Sequence, residues 1–238
     1  MSKFRVPTLS SSNVTVRLTT DPIEIESANR LVFANYVAAN YWENNAKHLE
    51  NKFAHSPMRK VIVAYENGHL IGTISLILDS PMGLPSDGAQ APLMQQLRAN
   101  SGTFAEISGF AMDRGRTAQS RHALFLVSYV LQYSFYYAGV DRLAASCIAA
   151  HSRFFESALG FSIISGPTRY RDANVVPYFY LLTLDLREAH SALSATGGKN
   201  LARFLLADPQ PCQHFPPEGE MKQQRETKEL IRAHREVA

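Results

Sequence analysis

The chain has 238 residues, 45% of them apolar, and a formal net charge of +3. That length supports one large domain or two small ones around a substantial core, and the charge is too small to point to a nucleic-acid partner. No uninterrupted apolar run of about 18 residues offers a membrane span; the nearest, 123–138, is broken by Ser128, Gln132 and Ser134 and reads as a buried helix.

The opening stretch MSKFRVPTLSSSNVTVR has no apolar segment of the signal-peptide kind, which points to a cytoplasmic protein. Two cysteines, Cys147 and Cys212, stand without metal-ligand or redox spacing. Cys147 lacks a basic neighbour to stabilise a thiolate and reads as a buried structural thiol.

Residues 14–19 alternate apolar and polar, as a half-buried strand does. Asp21-Pro22 then opens a helix, with Asp as the cap and Pro in the first turn, and Ile25, Ala28, Leu31, Val32, Tyr36 and Ala39 follow at helical spacing. Residues 43–58 are polar and suggest a loop or short helix. Residues 60–65 and 70–78 are β-rich runs around Asn67-Gly68, a strong hairpin signal. The stretch 79–102, with Pro81, Gly83, Pro85 and Gly88, reads as an insertion carrying one short helix at 91–98, the kind of loop that often covers a substrate.

A strand is expected at 103–112, a helix at 120–138 ended by Gly139, a strand at 142–150, a short helix at 152–159 closed by Gly160, and strands at 162–165 and 176–186. This order predicts a single mixed α/β domain over 1–186. Residues 187–238 are expected to form a helical C-terminal extension, with 208–220, DPQPCQHFPPEGE, as a proline-rich linker.

Within TFAEISGFAM, period-two alternation puts Phe104, Glu106, Ser108, Phe110 and Met112 on one face and Ala105, Ile107, Gly109 and Ala111 on the other. A carboxylate in mid-strand loses solvation and must be employed. Glu106 either pairs with an arginine or caps backbone groups, or it serves as a general base with its pKa raised by burial. Arg114, Arg116 and Arg121 follow in a turn that leads into a helix, a setting suited to a phosphate. His151 is either a capping or hydrogen-bonded histidine or a proton carrier. Phe125, Tyr129, Tyr133 and Tyr137 repeat every four residues, which periodicity alone reads as core packing. No metal-ligand set is visible, so none is expected.

Phe154-Phe155-Glu156-x-x-Leu159-Gly160-Phe161 resembles the F-Y-E-x-x-L-G-F signature of GNAT-type acyltransferases, and the β-α-β order matches that superfamily across 14–186. The resemblance implies a GNAT-like fold in which the strands at 103–112 and 142–150 splay apart and a thioester threads between them. Two departures matter. The glycine-rich pyrophosphate loop of acetyl-CoA users is replaced by Arg116-Thr117-Ala118-Gln119-Ser120-Arg121, with Gly115 as its one glycine. Phe155 stands where many relatives carry a tyrosine proposed to protonate the leaving thiolate.

Glu106, Ser108 and Phe110, with His151 to Phe155, resemble the N-acyl amino acid synthases, a bacterial family related to acyl-homoserine lactone synthases. Both groups often carry arginine where this chain has Gly109. The resemblance implies transfer of a long fatty acyl group from the phosphopantetheine thioester of acyl carrier protein to the α-amino group of a free amino acid, with tyrosine a family-level guess. No cofactor would be bound permanently. Under this reading Glu106 and His151 serve catalysis, Phe110, Ala111, Met112, Arg114, Arg116 and Arg121 hold the donor, and Phe104, Phe125, Tyr129 and Tyr133 line the acyl pocket. A lactone synthase using S-adenosylmethionine is the first alternative: Arg30, Phe33 and Trp42 fit it, but NNAKHLENKFAHS lacks the expected aspartates. An acetyl-CoA-dependent N-acetyltransferase and a non-catalytic acyl-binding module are the others.

Overall fold

The structure, a computed structural model, describes residues 13–44, 52–115, 119–169, 178–196 and 200–217, with backbone alone at 119–121, 193–196 and 200. Strands β1 (Val14–Thr19), β2 (Arg59–Glu66), β3 (His69–Leu78), β4 (Phe104–Met112), β5 (Arg142–Ile148), β6 (Ser162–Thr168), β7 (Phe179–Asp185) and β8 (Gln213–His214) form one mixed sheet in the order β6-β7-β5-β4-β3-β2-β1-β8. Helices are α1 (Pro22–Ala38), α2 (Asp87–Ala99), α3 (Gln119–Gln132), α4 (Ala149–Leu159), α5 (Leu186–Thr196) and α6 (Asn200–Leu206).

Local chemistry explains the element ends. Asp21 accepts the Ile23 N–H at 2.8 Å and Pro22 takes the first position, so α1 starts where the sequence places it. Asn67 and Gly68 both have positive φ, 51° and 78°, the conformation a two-residue hairpin turn between twisted strands requires. Gly160 closes α4 in the left-handed conformation. The helix α3 runs on into a π-helical turn, Tyr133–Tyr137, before Gly139.

The helix α3 covers one face of the sheet. Its Leu126 and Val130 join Val16, Ile62, Ile74, Leu76, Ile107 and Leu143 in the main core. On the opposite face α1 packs Ala28 against Val61 and Val63, and α2 packs Met94 and Leu97 against Ile77, Phe104 and Ala144. Among the described residues no helix is long and apolar enough to cross a membrane.

Two features differ from the sequence expectation. The first is β4, whose register with β3 slips between Ser75↔Ser108 and Thr73↔Ala111, inserting one residue beside Gly109 at φ 59°. The bulge reverses the alternation. Phe104, Glu106 and Ser108 face α1 and α2, whereas Phe110 and Met112 pack with the α3 core beside Ala105 and Ile107.

The second lies beyond 186. Phe204, Leu205, Leu206 and Cys212 are buried in the main core, and Gln213–His214, inside the stretch expected to be a linker, pairs as β8 with β1. The Tyr129 hydroxyl accepts from Leu18 N at 3.1 Å and donates to His214 O at 3.0 Å, and Phe215 stacks on Tyr129 and Tyr137. Loss of that hydroxyl strands two backbone groups, so Tyr129→Phe is expected to lower the unfolding free energy by about 1–3 kcal/mol. Equilibrium urea denaturation reads the difference; an unchanged midpoint would show that the tie contributes nothing.

Candidate active site

The parallel register of β4 and β5 runs from Phe104↔Arg142 to Ile107↔Ala145 and stops, although β4 continues to Met112 and β5 to Ile148. The two strands therefore part, leaving a slot in the sheet whose inner end is marked by Ile107 and Ala145. The bulge at Gly109 lies on its β4 side.

Glu106 sits one residue inside the point of parting, 1% exposed. Its partners come from the 79–102 insertion. Ser86, the cap residue of α2, gives its backbone N–H to Oε2 at 3.0 Å and its hydroxyl to Oε1 at 2.7 Å. The Ser86 hydroxyl also meets Ser146 Oγ at 2.8 Å. Ser86 has one hydroxyl proton. When that proton goes to ionised Glu106, Ser146 must be the donor in the second bond. Ser146 is the first residue of β5 beyond the paired stretch, so a hydrogen-bonded line runs from the buried carboxylate to the slot. Burial is the main influence on Glu106 and pushes its pKa up to about 7; the two bonds from Ser86 pull in the other direction.

The insertion is pinned beside this carboxylate. Arg98 on α2 bonds both oxygens of Asp79, at 2.9 and 3.0 Å, and both of Asp87, at 2.6 Å each. Asp87 accepts the Leu84 N–H, and Asp79 N bonds Phe104 O at the start of β4.

On the same face, two strands away, Arg59 lies in register with Ile77, and Ile77 with Glu106. Arg59 reaches Ser75 Oγ through Nε at 3.0 Å, and Asn29 Oδ1 and Ala54 O through Nη1 at 2.8 and 3.0 Å. Burial pulls its pKa down to about 10.

Of the residues singled out in the sequence, Arg114 is exposed and donates to Asn35 Oδ1 and Asn35 O at the end of α1. Arg116 and the side chain of Arg121 lie outside the described residues. His151 is exposed in the first turn of α4, just past β5. Phe104 packs with Leu84 and Met94 next to Glu106. Phe125, Tyr129 and Tyr133 are placed elsewhere: Phe125 packs on Phe204, and Tyr129 and Tyr133 stack in the series that Phe215 covers next to β1, toward the other end of the sheet. Cys147 is buried, and burial pushes its thiol up to about 11, which removes it as a nucleophile near neutrality.

Other rings stand near the slot. Tyr36 packs on Tyr41 and Trp42, and Tyr41 reaches Phe179, which pairs with Ile148 at the outer end of β5. These rings join the end of α1 to β7. No periodic pattern marks them, because they come from a helix end, a turn and a strand start. Ser86 and Arg59 were also missed. A serine in a proline-rich loop and an arginine before a β-rich run carry no sequence signal of their own.

A family model described as N-acyl amino acid synthase FeeM matches residues 27–185. No curated protein matches the chain. Among solved structures, the chain is similar to FeeM, an N-acyl amino acid synthase from uncultured soil microbes, with TM-score 0.67 and 27% identity over 79% of this chain and 100% of that one. It is also similar in fold to BjaI, a CoA-dependent acyl-homoserine lactone synthase, solved with SAM and isopentyl-CoA, with TM-score 0.57 and 17% identity over 89% of this chain and 99% of that one.

Proposed function

The chain belongs to the N-acyl amino acid synthase family, and on that premise we propose that it joins a long-chain fatty acyl group, carried as a thioester on acyl carrier protein, to the α-amino group of a free amino acid. It is an acyltransferase with a GNAT-like fold. The observation that carries the mechanism is the buried Glu106 with its serine line to the slot between β4 and β5.

In this reading the thioester enters the slot, and backbone groups of β4 around Phe110, Ala111 and Met112, which no β5 residue pairs, hold its carbonyl. The acceptor arrives as an ammonium ion and is unreactive until it loses a proton. That proton passes to Ser146 Oγ, the Ser146 proton to Ser86 Oγ, and the Ser86 proton to Glu106. The free amine attacks the carbonyl carbon, the tetrahedral intermediate collapses as the C–S bond breaks and a thiolate leaves, and the nitrogen gives its second proton to solvent as the amide forms. A thiolate departs without full protonation, so Phe155 in place of a tyrosine is no obstacle; in this reading His151, exposed in the first turn of α4, supplies a proton afterwards.

The aromatic group Tyr36, Tyr41, Trp42 and Phe179 supplies apolar surface for an acyl chain near the slot, with Phe104 on the insertion side. Arg114, followed in the sequence by Arg116 and Arg121, supplies cationic side chains for the phosphopantetheine phosphodiester and the acidic carrier. The fold alone does not choose the donor, since BjaI is described as CoA-dependent. The choice rests on the sequence of 115–121, which has a single glycine where a pyrophosphate would need close backbone approach.

The test presents one dodecanoyl group on acyl carrier protein or on CoA, with a mixture of the protein amino acids and S-adenosylmethionine, and follows N-acyl products by mass spectrometry. The carrier-bound donor is expected to give a kcat/KM at least about 10-fold higher, one charged contact's worth. Equal or better use of the CoA thioester would overturn the carrier assignment; product carrying acyl-homoserine lactone would overturn the acceptor class. The same spectra identify the amino acid, for which tyrosine is the expectation.

A further inference from the structure

We propose that Arg59, with Asn29 and Ser75, forms the subsite that binds the α-carboxylate of the acceptor, and so makes the enzyme select amino acids over simple amines. The proposal rests on the acyl-transfer reading above and adds the group that recognises the acceptor.

A guanidinium has five N–H bonds. In Arg59, Nε spends its one on Ser75 Oγ, and Nη1 spends two on Asn29 Oδ1 and Ala54 O. The two on Nη2 have no partner among the described residues, and Nη2 is not one of the sealed, unpartnered nitrogens. No carboxylate among the described residues forms an ion pair with this arginine. Asn29 presents its oxygen to the guanidinium, as it must facing a donor-only group, so its amide nitrogen points away. That nitrogen is buried and has no partner. Ser75 accepts from Nε, which leaves its own proton to give, and it is 1% exposed. Asn29 thus orients the guanidinium, while the two Nη2 donors and the Ser75 hydroxyl proton stand together at an uncompensated positive charge, and a half-buried cation of this kind calls for an anion.

Position identifies which anion. Arg59 on β2 and Ser146 on β5, the outer end of the serine line, stand three strand spacings apart, roughly 14 Å between backbones. The arginine side chain crosses much of that distance, its Nη2 lying 4.0 Å from where a Cβ on Gly109 of β4 would sit. A free α-amino acid carries its ammonium and carboxylate on one carbon. It fits what remains when the amine meets the serine line from Glu106 and the carboxylate meets Nη2 end-on. Gly109 favours this approach. A Cβ there would come within 4.0 Å of Arg59 Nη2 and 3.6 Å of Ser75 Oγ, so glycine keeps the space in front of these donors open. The donor's phosphate belongs on the turn after β4, where Arg114 lies, which leaves Arg59 to the acceptor.

The test compares wild type, Asn29→Asp and Arg59→Gln, each given a dodecanoyl thioester on acyl carrier protein or CoA. Acceptors are the protein amino acids and the matching decarboxylated amines. Asn29→Asp is nearly isosteric and forms an ion pair with Arg59, so it fills the subsite's charge without removing a core side chain. Wild type is expected to prefer amino acids, and both variants are expected to raise KM for amino acids about 10- to 100-fold. For the decarboxylated amines kcat/KM should move less than about 3-fold, within what a purely packing change allows. A wild type that acylates the amines as readily, or variants that lose both acceptor classes in proportion, would overturn the subsite while leaving acyl transfer intact. A wild type that acylates neither class would overturn the reading on which the subsite rests, and the subsite with it.

Discussion

Glu106→Gln is expected to lower kcat/KM for amide formation by about 100- to 10,000-fold and, above pH 7, to leave the protein more stable than wild type. Both effects follow from one placement. A buried carboxyl whose folded pKa is raised to about 7 from an ordinary 4.5 binds its proton more tightly in the native state. Its favourable contribution is complete below the unfolded value and is lost as pH rises toward 7. The loss is on the order of 3 kcal/mol. Glutamine escapes it, since its amide oxygen can accept from Ser86 N and its N–H can reach Ser86 Oγ. Catalysis has the opposite sign: the base must be ionised, so wild-type kcat/KM rises with pH through about 7. A pH profile of kcat/KM and urea denaturation at pH 5 and pH 8 measure both arms. Full activity of Glu106→Gln between pH 6 and 9 would sink the assignment. Ser146→Ala removes only the outer link, where water can substitute, and is expected to cost about 10-fold.

Arg98→Ala is expected to destabilise the protein by about 2–4 kcal/mol, below the figure for a fully buried pair because Arg98 retains some contact with solvent. Two carboxylates lose their shared partner, and Asp79 is almost wholly buried at 4% side-chain exposure. Activity should fall as well, because Arg98 ties down both flanks of the segment that carries Ser86. The pH profile provides the specific readout. Near Glu106, Arg98 favours the ionised form and Asp87 opposes it. With the arginine gone, the midpoint of kcat/KM moves to higher pH, and Arg98→Lys returns it part of the way. A variant with wild-type stability and an unmoved midpoint would show that the clamp does not position Ser86.

Much of this architecture was legible in the residues because it rests on local chemistry. Asp21-Pro22, Asn67-Gly68 and Gly160 each impose a backbone conformation within a few residues, and the expected strand and helix boundaries beside them match closely. Glu106 stood out because a carboxylate in an apolar strand requires an explanation. Its partner did not, since Ser86 lies 20 residues upstream in a segment whose path depends on Arg98, Asp79 and Asp87 meeting in space. The faces of β4 were misassigned beyond Gly109 because alternation assumes an uninterrupted pleat, and only the left-handed backbone at that glycine reveals the extra residue. That same conformation gives a reason for the glycine where relatives often carry arginine. The tyrosine repeat of α3 was visible, but periodicity reports that a face is buried and says nothing of what covers it. Here Phe215 covers it, from a segment whose prolines suggested a linker.

The pairing of β8 with β1 has a consequence for how the chain is made. The first strand of the sheet has one neighbour, β2, formed early, and another that arrives about 200 residues later in synthesis. Until Phe204 and Gln213 have left the ribosome, the surface of α3 that receives them stays bare, with Ser128 lacking the Phe204 carbonyl and the Phe125 carbonyl lacking Gln213. Such late, long-range closure makes for slow completion and an aggregation-prone nascent chain. A message that ends after β7 would therefore be expected to yield a product that chaperones hold and proteases clear, even though every residue of the slot between β4 and β5 had been translated.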